Sequence, residues 1–258
     1  MNDKYDIYMV FDQPIPYKEL RIHPVLMKDY AVFNYLSQAL LVDKNSISDV
    51  DILSMTYLEY LYKYNTNEDP YIAMLQALFQ IVTRNPELKM NMGIDENNKM
   101  AIIIGGVMYS SMDFDEIKNI VAEQNMLELP DDMMQKEVRD KLREAEEFKR
   151  RISGIKRATL EDLVICVMIS TAMSVEDVGN LTIRKFGKIL ERVDNKLHYE
   201  IYLSAQMSGF VKFKDKSVIK HWMSDLRKDR YSDVKVQPET IKSEINLDNA
   251  RKALQDKR

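Results

Sequence analysis

Apolar residues at Phe186, Leu190, Val193, Leu197, Ile201 and Ala205 recur at spacings of four, three, four, four and four residues. That period keeps them on one face of a helix. It predicts one long amphipathic helix that starts at Thr182, whose hydroxyl suits an N-cap, and stops at Gly209, which tolerates the left-handed conformation that ends helices. Beyond the glycine, Phe210-Val211-Lys212-Phe213-Lys214 sets aromatics among cations, and the stretch closes at Trp222, the single tryptophan of the chain.

Upstream, the alternation of Tyr5, Ile7 and Met9, the breaks at Pro14 and Pro16, and renewed alternation over Tyr17–Ile22 predict two short strands joined by a proline turn. His23, ahead of Pro24, reads as a strand-end residue. After Pro24 the period lengthens, and Met27, Tyr30, Phe33, Leu36 and Leu40 mark a helix over about 26–42. A second helix runs from a start at Asn45-Ser46 to Asp49 through Tyr64, with Tyr57, Tyr60, Leu61 and Tyr64 on one face. Tyrosine offers apolar area with a polar tip, which suits a core edge or an interface. Asp69-Pro70 is a cap and first-turn pair for a helix over 70–83. Residues 88–109 then predict a hairpin: Leu88–Met92 alternates, Asp95–Asn98 turns, Met100–Ile104 is β-branched and Gly105-Gly106 bends. Asp113 is the expected cap of a helix over Phe114–Asn125.

Past Pro130, residues 131–152 carry a stripe of Met134, Val138, Leu142, Ala145, Phe148 and Ile152 on an otherwise charged helix. Glu146–Arg150 and Glu147–Arg151 stand in favourable i,i+4 order. Thr159 opens a nearly all-apolar helix to about Thr171, expected to be a central core element. Ser174 caps a turn or two before Thr182. After Asp225 the chain is polar and mixed in charge, which predicts a mobile tail that folds on a partner.

Composition narrows the function. With 258 residues, 45% hydrophobic and 30% charged, the chain has room for a sizeable core in one large or two small domains. Seven glycines are too few for an elaborate loop-built active site. The net charge of −4 gives no electrostatic reason to expect nucleic acid as the main partner. The single cysteine, Cys166, excludes an intrachain disulfide and a cysteine zinc site, and its apolar neighbours predict a buried core residue. The 17 methionines include Met90, Met92, Met133 and Met134 beside polar residues. Flexible thioethers suit an adaptable partner surface, and equally replace leucine in a core. The N-terminal stretch lacks the apolar core of a signal peptide, and no run approaches the roughly 18 apolar residues of a membrane span.

No catalytic constellation stands out. His23, His198 and His221 are far apart and lack ligating neighbours, the acidic residues sit in caps or among Lys and Arg, and no phosphate loop, nucleophile elbow or metal motif occurs. The expectation is therefore a non-enzyme with no catalytic residue, no metal and no cofactor. Residues 171–186 have the rhythm of a helix-turn-helix, with Thr182, Arg184 and Lys185 opening the second helix. Phe186 and Leu190 give that helix the look of a core element, which favours a structural corner over a DNA reader.

The run S-V-E-D-V-x-N-L-T-I-R-K-F (174–186), then L-E-R-V-D-x-K-L-H-Y-x-I-Y (190–202), A-x-M-S-G-F-V-x-F-K (205–214) and H-W-M (221–223) resembles tail-assembly proteins of long-tailed bacteriophages. Glu19–Val25 with Met27–Tyr30, and Phe114–Ile117 through Gln124-Asn125, are similar in style. The resemblance implies a tail assembly chaperone, a non-catalytic protein that coats the tape measure protein, keeps it soluble and helps recruit tail tube subunits, in the host cytoplasm. The alternative is a minor structural tail or baseplate protein associated with the virion. The expected partner surface is Met207, Phe210, Val211, Phe213 and Trp222.

The expected fold is mainly α with a small β component (α+β): N-terminal strands and a hairpin with helices, then an all-helical C-terminal half. The expected domains are an N-terminal α+β domain (1–130), a charged connecting helix (131–157), a helical C-terminal domain (158–224) and the polar tail (225–258).

Overall fold

The computed structural model describes residues 5–44, 49–68, 70–96, 98–130, 136–153, 158–209 and 221–224. Its first element corrects the strand expected at Tyr5–Met9: Asp6–Val10 is a short helix, α1. The spacing explains it. Tyr5 and Met9 are four apart and both buried, whereas Ile7 between them is 65% exposed, the opposite of what a half-buried strand would do. Asp12 takes a left-handed φ of 54° and turns the chain into an antiparallel hairpin of β1 (Ile15–Tyr17) and β2 (Leu20–Ile22). Pro14 and Pro16 do not form the turn; Lys18 and Glu19 do, with Lys18 at positive φ. Ile15 and Ile22 face each other in register, fully buried.

The helix expected over 26–42 is present as α2 (Tyr30–Leu36) flanked by 3-10 turns at Met27–Asp29 and Ser37–Leu40. The next expected helix is two. Asp49 caps α3 (Val50–Ser54), Met55 is extended, and a capping box of Thr56 and Glu59 starts α4 (Tyr57–Lys63). The break follows from the box: each of the two side chains takes the backbone N–H of the other's residue, which ends one helix and begins another. The expected face turns inward, with Tyr57, Tyr60 and Leu61 buried and Tyr64 half-buried, while Tyr62, off that face, is exposed. Behind Pro70, α5 (Tyr71–Thr83) buries Met74, Leu75, Leu78, Phe79 and Val82.

The hairpin over 88–109 gains a third strand. β3 (Met90–Ile94), β4 (Met100–Ile104) and β5 (Val107–Ser110) form one antiparallel sheet, with the β4–β5 turn made by Gly105 and Gly106 at φ of 61° and 86°, a conformation only glycine adopts freely. α6 (Ser111–Gln124) begins earlier than expected: Ser110 is its cap and Asp113 its third residue, joined in a reciprocal capping box. Asp113 also ties the first hairpin to this helix, accepting from the Tyr17 hydroxyl at 2.8 Å and pairing with Lys18 at 2.6 Å.

The C-terminal end of α6 holds the entry to the last helices. The Asn125 side chain accepts from the Val25 amide at 2.9 Å, and the Val25 carbonyl accepts from the Ile183 amide at 2.9 Å. Two backbone bonds, Met27 to Leu181 and Ile183 to Val25, clamp residues 25–27 along 181–183. Residues 1–133 and 158–223 accordingly form one compact unit, and residues 134–157 fall in another. Within that second unit, α7 (Lys136–Ser153) carries exposed Val138, Phe148 and Ile152. The Glu146–Arg150 pair, Met133 and Met134, the start at Asn45-Ser46, Asp69, Asn97 of the expected turn and the tail after Asp225 lie outside the described side chains and residues.

Capping boxes of Thr159 with Asp162 and of Ser174 with Asp177 start α8 (Leu160–Thr171) and α9 (Val175–Gly179); the hydroxyl of Thr182 accepts from the Lys185 amide to start α10 (Ile183–Met207). Gly209 is left-handed at φ 73° just beyond it. The fold is thus mixed α+β, mostly helical with a two-stranded and a three-stranded antiparallel sheet.

Candidate functional site

Two expectations about the core fail at α8 and α10, and their failure locates the surface of interest. The sequence predicts α8 to be a central core helix around a buried Cys166. Val167 alone of its residues is buried; Leu163, Val164 and Met168 are half-buried against the core. Cys166 is exposed, and beside it Ile165 is 44% and Ile169 79% exposed. The helix is apolar nearly all round but packs by one side only. A helix of that composition needs cover on every side to stay dry.

α10 departs in the same way. Its first turns are core: Ile183 and Phe186 are buried, and Ile189 and Leu190 pack against them. The regular stripe then runs out of protein. Leu197 is 53% and Ile201 61% exposed, and Met207 in the last turn is 80% exposed. A helix of 25 residues is about 37 Å long at 1.5 Å per residue, and its buried residues, Ile183 and Phe186, both fall within its first four positions. Polar pairs flank the rest: Lys188 with Glu191 at 2.7 Å, Asp194 with His198 at 3.5 Å and Lys196 with Glu200 at 3.8 Å. Such exposed pairs keep a helix soluble and contribute little to stability.

The residues predicted to meet a partner divide. Met207 stands exposed on the last turn of α10. Phe210, Val211 and Phe213 lie outside the described residues. Trp222 is half-buried and returns to the helix: its carbonyl accepts from Arg192 Nη1 at 2.6 Å, and the neighbouring His221 ring meets Tyr199 edge-on at 5.1 Å. The exposure of Ile165, Ile169, Leu197 and Ile201 is not written in the sequence pattern, because periodicity says which residues share a face, not what covers it. One signal was available: α8 has no polar side to turn outward.

The start of α10 also bears on DNA recognition. Arg184 donates to the Glu123 carbonyl at 3.0 Å, Lys185 pairs with Asp12 at 3.2 Å, and Thr182 is buried. The three residues a recognition helix would offer to phosphates and bases are engaged within the protein itself. Among the described residues no group of three His, Cys, Asp or Glu is gathered as a metal site requires, and no helix is long and apolar enough to cross a membrane.

Residues 149–227 match the family model described as YomV second domain, a phage-related domain. The match spans α8, α9 and α10 and less than half of the chain. No curated protein and no solved structure matches.

Proposed function

Proceeding from a phage-related domain built on α8–α10, we propose that this protein is a phage tail assembly chaperone that acts without catalysis. It binds the tape measure protein, keeps it soluble and helps recruit tail tube subunits around it. The observation that carries this reading is the apolar surface left open on α8 and α10, in a chain that is otherwise 30% charged. Fully burying a large aliphatic side chain is worth up to about 1.5–3 kcal/mol, so covering Ile169, Leu197, Ile201 and Met207 supplies a non-directional driving force that needs no specific polar reader. A tape measure protein is a long chain of such segments and aggregates when they are bare. Flexible Met207 suits successive segments that differ in shape.

The test is co-expression with the tape measure protein of the same phage. A rise in the soluble fraction of that protein, together with its co-purification, is the expected result. An unchanged soluble fraction without co-purification removes the reading. A salt-sensitive shift of duplex DNA in a mobility assay would move the assignment to nucleic acid instead.

A further inference from the structure

Away from the helical surface, a polar cavity of about 400 Å³ opens between α4 and the first turns of α6. Its lining includes Lys118, a lysine that is 9% exposed. Lysine is rarely so buried, because an ammonium loses its hydration unless protein acceptors replace it. Here they do not. Lys118 Nζ lies over the Tyr57 ring at 3.9 Å from the centroid, and the carboxylate of Asp115, on the same helix, is 3.6 Å away. The ring takes one side of the ammonium by a cation–π contact, and 3.6 Å is too long for an N–H···O bond. Among the described residues, Lys118 hydrogen-bonds to nothing. It is among the residues that line the cavity.

The rest of the lining says what belongs there. Lys44 adds a second ammonium, held by the Leu53 carbonyl at 3.3 Å, and Asn119 adds an exposed side-chain amide. The charged side chains of the lining are thus two lysines and one carboxylate, Asp115. Met55 and Met112 line the same cavity, and Met112 is 84% exposed. We infer that this cavity is a binding site for a carboxylate carried on a short apolar body, with Lys118 and Lys44 taking the carboxylate and the two methionines taking the body. A phosphate dianion fits less well, because it brings a second negative charge to a lining that already holds the Asp115 carboxylate.

The carboxylate belongs either to a free small acid or to an acidic side chain of a polypeptide, and a titration of the full chain followed by amide NMR over residues 111–119 distinguishes them. The probes are 4-methylpentanoate, its amide as the neutral control, N-acetylglutamate amide for a peptide side chain, and inorganic phosphate. Saturable shifts with one or both carboxylates, and none with the neutral amide, are expected; the tighter carboxylate identifies the source. Lys118→Met should weaken binding at least about tenfold, the loss of one charge-assisted contact. Asp115→Asn should tighten carboxylate binding several-fold and admit phosphate, and it leaves Lys118 in place should the methionine variant fail to fold. Absence of carboxylate shifts in the wild-type chain, equal shifts with the neutral amide, or a folded Lys118→Met chain that binds unchanged would each overturn the inference.

Discussion

The hydroxyl of Thr182 donates to the Asp12 carboxylate at 2.9 Å, across 170 residues of sequence. The same hydroxyl oxygen accepts the Lys185 amide as the cap of α10, so a single buried group orients the carboxylate behind α1 and the start of the last helix together. Asp12 further pairs with the Lys185 ammonium at 3.2 Å. Asp12→Ala should therefore cost about 1–2 kcal/mol, from a buried hydroxyl left without its acceptor and from alanine forced into a left-handed backbone. Asp12→Asn keeps an acceptor and tolerates that backbone; it loses only the half-exposed ion pair and should cost no more than about 0.5 kcal/mol. Urea denaturation midpoints for the two variants measure the difference, and equal midpoints would contradict this division of roles.

Asp113 gives the fold an acid limit. Burial pushes its carboxyl up, but hydrogen bonds from Lys18, Tyr17 and the Ser110 amide and hydroxyl outweigh it and hold the group at about 2. A folded value below the unfolded 3.8 contributes stability that is present above that value and is lost as pH falls toward about 2; the shift corresponds to about 2 kcal/mol. The side chain is 16% exposed, so solvent screening is modest. Tyr17 is raised, by burial first and by its bond to Asp113 second. Its contribution is full below the ordinary tyrosine range and lost as pH rises beyond it. Asp113→Asn should flatten the fall in stability between pH 4 and 2, as followed by thermal unfolding across that range.

Adjacent residues on α8 should behave oppositely. Val167 is fully buried and Cys166 exposed. Val167→Ala should destabilise by about 2 kcal/mol through lost burial and an unfilled cavity, and Cys166→Ser by less than about 0.5 kcal/mol. Without denaturant, a thiol reagent should label Cys166 at a rate close to that of the unfolded chain. Protection of the thiol would return it to the core.

Helix starts were legible where capping chemistry writes them into short patterns: Thr159 with Asp162, Ser174 with Asp177 and the hydroxyl of Thr182 all cap as read. Asp113 was placed one role away, because Ser110 three residues earlier supplies the cap and makes it the reciprocal acid. Strand and helix were confused at Tyr5–Met9, where five residues satisfy both periods and only burial of Tyr5 with Met9 decides. β5 was not seen because Val107–Ser110 is too short to show a period of its own; it exists through its ladder to β4. The stripe on α10 was traced correctly, yet its exposure at Leu197 and Ile201 depends on where neighbouring elements stop, which no local pattern records.

That exposure separates folding from partner binding. Ile169 and Ile201 are 79% and 61% exposed, so charged replacements there bury nothing. Ile169→Glu and Ile201→Glu should each change stability by less than about 0.5 kcal/mol. If α8 and α10 hold the tape measure protein, the same pair should abolish its solubilisation on co-expression, since a carboxylate pressed into an apolar contact loses its hydration without compensation. Val32→Glu, at a 55% exposed position on α2, adds the same charge elsewhere and should leave solubilisation intact. Denaturation midpoints and the soluble fraction of the co-expressed partner read the two effects separately. A pair of variants that fold normally and solubilise like wild type would take the binding surface away from these helices.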